Sequence, residues 1–315
     1  MIHTLAQNVG VDISKDRLDV ALHPARRTAQ FSNDADGHRA LIEWLADVSV
    51  ARIAFEATGA YHRLFERTLA EAGLPMVKVN PRQARRFAEA IGKLAKTDRV
   101  DAAMLARMGQ ACELKPRPVV GQVLDEMKEL LRERDALVKD RVAALNRQKT
   151  AWHPLVKRQL AKRLMQIDAD LKAIDEKMKM SRSADPQIAA KAEILTSIPG
   201  VGEVTANALI VEMPELGALD QGEAASLAGL APVAKDSGQS NGRRSIRGGR
   251  ARARQALYMP ALVSVRFNPE FKAKYDAMLK AGKLPKVALT AVMRKIVILA
   301  NALLRDKRKW APKPA

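Results

Sequence analysis

The sequence predicts an α/β domain with a mixed sheet, followed by a helical coiled-coil connector and a mostly α C-terminal domain. Three observations predict it: short β-rich and helical segments alternate at the start, an apolar heptad stripe follows, and helical spacing dominates the remainder. A length of 315 residues favours two domains plus connecting helices. We therefore expect three parts, at residues 1–118, 119–186 and 187–315.

The first part begins with two β-rich runs separated by a polar turn, which is the pattern of a hairpin. A third strand is expected near Gln30 and Phe31. The segments that follow alternate helix, strand, helix, strand, helix, helix: Gly37–Val48, Ala51–Glu56, Tyr61–Ala72, Leu74–Val79, Pro81–Ile91 and Asp98–Glu113. A hairpin followed by crossovers predicts a mixed sheet with helices on its faces.

The middle part has leucine or valine seven residues apart from Leu124 to Leu145, and a second apolar stripe after His153-Pro154. This heptad spacing predicts two long helices, folded as a hairpin or paired with another subunit, whose stripe is packing surface. We expect Ser181–Pro186 to be a linker, and the last part to be helical with one long loop, Ala231–Arg250.

The charge balance indicates the partner. The chain has 54 Lys and Arg against 35 Asp and Glu, a net charge of +19 that favours a polyanion. We find no run of about 18 apolar residues and no signal-peptide pattern, so we expect no membrane and place nucleic acid first. Cys112 is the single cysteine, which excludes a disulfide framework or Cys-rich zinc site and fits a reducing cytoplasm.

Four acidic residues in the first part are candidate metal ligands. Asp12 lies within an apolar strand, Glu56 closes another strand, and Asp98 and Asp101 are three apart at a helix start. If the four carboxylates converge, they need hard divalent ions such as Mg²⁺, and two such ions assist displacement at phosphorus. The alternative, of equal weight from spacing alone, is that Asp98 caps its helix, Asp101 supports the helix dipole, and the other two are ordinary loop acids.

A Pro-Gly-Val-Gly turn lies between two apolar helices of the last part. Its glycines, Gly200 and Gly202, expose backbone N–H groups at a helix start, as in the helix-hairpin-helix clamp for DNA backbone. The alternative is a plain tight turn between packed helices.

The long loop combines serines, glycines and arginines. Four arginines could grip phosphates: Arg243, Arg244, Arg247 and Arg250. A serine there could attack phosphorus only if a metal site activated it, because no histidine is near in sequence. Composition alone favours a mobile, solvated basic loop.

Together these features resemble the DEDD transposases of bacterial insertion sequences, which are related to the Piv-type DNA invertases. The matching segments include VGVDISKDRLDVAL, KLAKTDRVDAAMLA, IPGVGEVTANALI and LAGLAPVAKDSGQSNGRR. The resemblance implies an RNase H-like N-terminal domain similar to the RuvC Holliday-junction resolvase, with the DEDD tetrad on Asp12, Glu56, Asp98 and Asp101. It also implies that Ser237 is the nucleophile that bonds covalently to DNA, with Ser240 as reserve.

The resemblance further implies Mg²⁺ as cofactor, with Mn²⁺ accepting the same ligands. It implies DNA as substrate, a structured non-coding guide RNA as partner, and a homo-oligomer, either a dimer or a tetramer. The chain departs from many members in reading Gly249-Arg250 where they have Gly-Asn. Two alternatives remain: a metal-dependent, structure-selective nuclease without serine chemistry, and a non-catalytic DNA binder.

Overall fold

A computed structural model describes most of the chain, which divides into two compact units, residues 1–119 and 120–315. The described residues are 6–56, 59, 61–92, 98–116, 121–234, 236–237, 240–241 and 244–312, without the side chains of 98, 99, 236, 237, 240 and 241.

The first unit is the predicted α/β domain. Its elements are β1 (Gln7–Ile13), β2 (Arg17–His23), β3 (Thr28–Ser32), α1 (Ala35–Trp44), β4 (Val50–Glu56), α2 (His62–Glu71), β5 (Met76–Val79), α3 (Pro81–Ala90) and α4 (Asp98–Ala111). The strands form one sheet in the order β3-β2-β1-β4-β5. The β1–β2 and β2–β3 pairs are antiparallel, and the β1–β4 and β4–β5 pairs are parallel, so the predicted mixed sheet is confirmed.

Apolar clusters cover both faces of this sheet. On one face, alternate residues of β1 pack with Phe55 and Phe65, which are fully buried. On the other face, Ala54 packs with Leu105 of α4 and with residues of α3. Burial of a large apolar side chain contributes about 1.5–3 kcal/mol, so the central strands are fixed from both sides.

The second unit is mostly helical. Its helices are α5 (Gln122–Thr150), α6 (Pro154–Ala184), α7 (Pro186–Thr196), α8 (Glu203–Glu212), α9 (Gln221–Leu227), α10 (Ala251–Ala256), α11 (Tyr258–Phe267), α12 (Pro269–Lys280) and α13 (Pro285–Arg305). Its strands are two-residue segments: β6 (Pro232–Val233), β7 (Asp236–Ser237), β8 (Ser240–Asn241) and β9 (Ser245–Ile246).

Helices α5 and α6 fold back on each other as a hairpin within the chain. Arg134 bonds Asp175, and Arg141 bonds Asp168, each with an Nε–Oδ1 distance of 2.7 Å. The apolar contact between the two helices becomes less buried toward their connecting turn: Leu131 is buried, whereas Val138 is 38% exposed.

The base of the hairpin belongs to the core of the second unit, since Met127 and Met178 are buried in the same cluster as Leu209 of α8. The predicted linker Ser181–Pro186 is wrong: α6 continues to Ala184, and α7 begins at Pro186. Asp185 accepts hydrogen bonds from two amides of the first turn of α7, so it is an N-cap followed by proline at N1 rather than a flexible joint.

Helix α13 lies at the centre of this core, with Val292, Ile296 and Leu303 fully buried. Among the described helices it alone has the length and composition of a membrane span, contrary to the expectation of no such segment, and 56% of its apolar window is buried. The residues after α13 pack back on the end of α7, where the amide of Trp310 donates to Ser197 Oγ at 2.8 Å.

Candidate functional site

Two of the predicted acids lie side by side at the ends of neighbouring strands. The last paired positions of the parallel β1–β4 ladder are Val11 and Phe55, and Asp12 and Glu56 are the next residues along each strand. Side chains alternate between the faces of a strand, so both acids share a face with Gly10 and Ala54, which pair two residues earlier. Ala54 packs in the cluster that contains α4, so this is the face that α4 covers.

Helix α4 crosses β1 so closely that there is no room for a side chain at Gly10. A Cβ atom added to Gly10 would collide with the carbonyl oxygen of Ala102 and the amide nitrogen of Ala106. A Cβ on Gly109 would lie 3.5 Å from Asn8 Oδ1, near the start of β1. Helix α4 therefore runs antiparallel to β1, and its first turn lies toward the end of the strand that carries Asp12.

That first turn contains the other two predicted acids. Asp98 is the first residue of α4, and its side chain is not among those described. Asp101 is half-buried and precedes Ala102, which lies against Gly10. Among the described side chains, no group of three or more His, Cys, Asp or Glu residues is arranged to hold a metal ion. The donors at this end of the sheet are carboxylate oxygens, the ligands that Mg²⁺ and Mn²⁺ prefer.

Asp19, which sequence reasoning missed, lies directly beside Asp12. The two residues are partners in the antiparallel β1–β2 ladder and so share a face. Asp19 is 8% exposed and accepts hydrogen bonds from Arg17 Nε at 3.0 Å and Gln30 Nε2 at 2.9 Å. Its charge is thus compensated and its carboxylate fixed. An open depression of about 560 Å³, lined by Arg17, Gln30 and Phe31 among others, adjoins it.

Asn33 braces the loops that follow the two strand-end acids. Its Nδ2 donates to the carbonyl of Ser14 at 2.8 Å, two residues after Asp12, and to the carbonyl of Tyr61 at 3.2 Å, five residues after Glu56. One side-chain amide therefore ties both chain segments together. This is the second contribution that sequence reasoning missed, since the contacts join residues 19 and 28 positions apart.

His38 orients that amide. Asn33 uses its nitrogen as donor, so its Oδ1 must accept from His38 Nε2, at 2.9 Å. His38 is fully buried, packs edge-on against Phe65, and its Nδ1 has no hydrogen-bond partner among the described residues. Burial lowers the pKa of His38 because a buried site disfavours the charged imidazolium, and the negative charge of the nearby Asp34 opposes that shift only in part. The hydrogen bond to Asn33 Oδ1 requires the neutral form of the ring to carry its proton on Nε2.

The glycines of the turn between α7 and α8 have different surroundings. Gly200 has φ of +89°, and a Cβ there would meet Ser264 Oγ at 2.6 Å, so this glycine is required by packing against α11. Gly202 is exposed, precedes α8 without a side-chain cap, and has no atom within 4 Å of an added Cβ. The open helix start therefore lies at Gly202.

The predicted serine loop contains two short antiparallel ladders instead of irregular chain alone. Strand β6 pairs with β9, and β7 pairs with β8. In the inner ladder Ser237 is the backbone partner of Ser240. The two candidate nucleophiles are thus at opposite positions of one narrow ladder, and their side chains lie outside those described.

The end of the loop packs against the residues just before its start and against the helical body. Gly249 has φ of +64°, and a Cβ there would collide with the backbone of Gly229. Arg250 forms a bidentate ion pair with Glu215, at 2.6 and 2.7 Å, and donates to the carbonyl of Glu212 at 2.6 Å. Arg250, predicted as a phosphate ligand, therefore anchors the loop to the helical body.

The other predicted arginines differ from Arg250. Arg244 and Arg247 are exposed and form no ion pair with any described residue. Arg243 lies outside the described residues. The described part of the loop thus presents two uncompensated guanidinium groups, which suit a phosphate backbone.

Two protein-family models and several known proteins match this chain. A family model for the DEDD transposase of IS110 matches residues 9–152, and a model for the transposase IS116/IS110/IS902 family matches residues 192–276. The pilin gene-inverting proteins of Moraxella lacunata and Moraxella bovis are each 28% identical over 316 residues, covering 96% of this chain and 97% of theirs.

A further relative is the insertion element IS900 uncharacterized 42 kDa protein of Mycobacterium paratuberculosis, 32% identical over 202 residues that cover 58% of this chain and 48% of that protein. The two family models cover the strand-end acids and the Gly200 turn together with the serine loop. The chain belongs to the IS110 family of DEDD transposases and is a DNA-recombining enzyme.

Proposed function

We propose that this enzyme cuts and rejoins element and target DNA, using the acids Asp12, Glu56, Asp98 and Asp101 and the nucleophile Ser237. The observation that supports it most is the antiparallel crossing of α4 over Gly10, which brings the first turn of that helix to the strand ends of Asp12 and Glu56. The sheet order, with an antiparallel hairpin beside parallel strands, agrees with a RuvC-like, RNase H-like domain.

The acids would hold divalent ions, Mg²⁺ or Mn²⁺. When bound, such ions supply positive charge against the negative charge that develops on the phosphate oxygens during displacement. The protein would keep the carboxylates in position through the close packing at Gly10, the fixed carboxylate of Asp19 and the hydrogen bonds of Asn33 to the two loops.

Ser237 would perform a transesterification. Its Oγ forms a bond to phosphorus as the bond from phosphorus to one sugar oxygen breaks, and the serine proton passes to that departing oxygen. One phosphodiester is exchanged for a serine phosphodiester, so a sugar hydroxyl from a second strand can reverse the step with no external energy source.

The remaining features would hold nucleic acid. The open start of α8 at Gly202 favours a helix-hairpin-helix contact with the DNA backbone, while Arg244 and Arg247 suit phosphates of the strand at the serine loop. We propose a homo-oligomer in the cytoplasm, because strand exchange needs two sites and two DNA segments. We propose a guide RNA as partner because the family resemblance implies one and the net charge of +19 suits a second nucleic acid. DNA inversion, named for the Moraxella relatives, would use the same chemistry.

The test is a denaturing gel of the full chain incubated with Mg²⁺, labelled element-junction DNA and co-expressed RNA. We expect a covalent protein–DNA species in the wild type and in Ser240→Ala, and its loss in Ser237→Ala and Asp12→Asn. Cleaved DNA without an adduct in the wild type would refute the serine step and favour the metal-dependent nuclease. An adduct that survives in Asp12→Asn would refute the role of the acids.

A further inference from the structure

The outer part of the α5–α6 hairpin carries charge of one sign. We define the hairpin tip as residues 141–167, which contain seven Lys or Arg and no Asp or Glu. The basal stretches, 122–140 and 168–184, contain eight Lys or Arg and ten Asp or Glu. The hairpin is therefore slightly acidic at its base and strongly basic at its tip.

The cations of the tip are largely uncompensated. Arg141 at its inner border pairs with Asp168. Five further cations are exposed and form no ion pair with any residue that the structure describes: Lys149, Lys157, Arg158, Lys162 and Arg163. These like charges repel one another, and binding of a polyanion would relieve that repulsion.

A large aromatic side chain lies between the two helices at the end of the tip. Trp152 is 83% exposed, and the neighbouring Leu155 is 46% exposed. An indole combines an apolar face with an N–H donor, so it can pack on a sugar while cations beside it contact phosphates. Such a residue at the end of a basic hairpin fits a nucleic-acid backbone, in which sugars that can pack on the ring alternate with phosphates that attract the cations.

We propose that the hairpin tip binds the backbone of duplex DNA, beyond the segment that reacts. From Leu131 in the core of the second unit to the turn at Trp152 the helix rises about 30 Å, close to one helical turn of duplex. Duplex DNA is the partner because the family acts on DNA, and DNA flanking a cut extends farther than one turn. The tip thus adds affinity and orientation that do not depend on base sequence.

Two variants of equal charge test the tip against the base in the full chain. Each replaces three exposed cations by glutamine. The tip variant changes Lys157, Arg158 and Lys162; the base variant changes Lys172, Lys177 and Lys179. The Kd for a fluorescent 40-base-pair DNA duplex of arbitrary sequence is measured from 50 to 300 mM KCl without divalent ions.

We expect the tip variant to reduce the slope of log K against log salt by about 2.7, because each lost phosphate contact removes about 0.9, and to raise the Kd at 100 mM at least tenfold. The base variant should change the slope by less than about 0.5. Trp152→Ser should weaken binding a few-fold at every salt concentration, since an apolar contact releases no counterions.

Equal effects of the two variants, or none from the tip variant, would overturn the proposal. So would a tip variant that weakens binding of a 40-base-pair RNA duplex while leaving the DNA duplex unaffected. A changed association state by sedimentation, with an unchanged DNA slope, would make the tip a contact between copies instead. Binding is measured without catalysis, so failure here leaves the Ser237 proposal untouched, and an absent adduct leaves the tip proposal standing.

Discussion

Replacing Gly10 by alanine should disrupt the first unit at the point on which the proposed convergence of Asp12, Glu56, Asp98 and Asp101 depends. The new Cβ would meet the carbonyl oxygen of Ala102 and the amide of Ala106, both backbone atoms that cannot rotate away. Overpacking of this kind costs about 1–3 kcal/mol, and contact with backbone on two sides places it near the upper value. For a unit of this size, that corresponds to a fall in Tm of about 10 °C or more.

Gly10→Ala should also lower the rate of adduct formation, and by more than the loss of folded protein alone would explain. To relieve the collision, α4 must move away from β1, which shifts Asp101 relative to Asp12. A displacement of about 1 Å between reacting groups can cost roughly 100-fold in rate. Adduct formation is therefore measured at a temperature well below the Tm of both proteins.

Gly121→Ala is the matched control, because it has φ of −61° and no atom within 4 Å of an added Cβ. It should change stability by less than about 1 kcal/mol and leave the reaction rate unchanged. A Gly10→Ala protein with the wild-type Tm and rate would refute the close crossing of α4 over β1 and, with it, the convergence of the acids.

Three further predictions concern the brace and the loop anchor. His38→Phe keeps the ring contact with Phe65 but removes the donor to Asn33, which should cost about 1–3 kcal/mol of unfolding free energy in urea melts; a variant as stable as the wild type would contradict the brace. Because the pKa of His38 is lowered in the folded chain, the unfolded chain binds a proton at this residue at a higher pH than the folded chain does. The free energy of unfolding should therefore be fully retained above pH 6.5 and fall as the pH drops below it. His38→Phe should flatten this trend. Arg250→Ala should lower both Tm and adduct yield, by about 1.5–3 kcal/mol in stability, whereas Arg244→Ala should weaken DNA binding and leave the Tm unchanged; equal Tm values for the two would refute the anchor.

Local pattern was sufficient to predict most of the elements. The turn Ser14–Asp16 between two β-rich runs gave the hairpin, and the strand that ends at Glu56 matches β4 at its last residue. The break at His153-Pro154 matches the turn between α5 and α6, since proline at N1 begins a helix as readily as it ends one. The same ambiguity explains the error at Asp185, where an acid before proline indicated a linker and proved to be a cap.

The contacts that fix the site are non-local and left no such pattern. Arg250 stands in a loop rich in arginine and glycine, and nothing nearby in sequence distinguishes it from Arg244 or Arg247. Its partner Glu215 is 35 residues away, so its anchoring role depends on the fold of the helical body. The same holds for Asn33, whose two acceptor carbonyls come from different loops.

The two segments that we propose to react are both held by glycines at which backbone packs directly against backbone. Gly10 admits α4 against β1, and Gly229 and Gly249 close the base of the serine loop. A side chain at any of these positions would displace the reacting group without touching it, because the contact atoms are main-chain and cannot yield. Alanine at one of these glycines should therefore reduce activity as severely as substitution of one of the acids. A Gly249→Ala protein that keeps the wild-type Tm but forms no covalent adduct would show that the serine loop is displaced; a lowered Tm would show instead that the second unit unfolds.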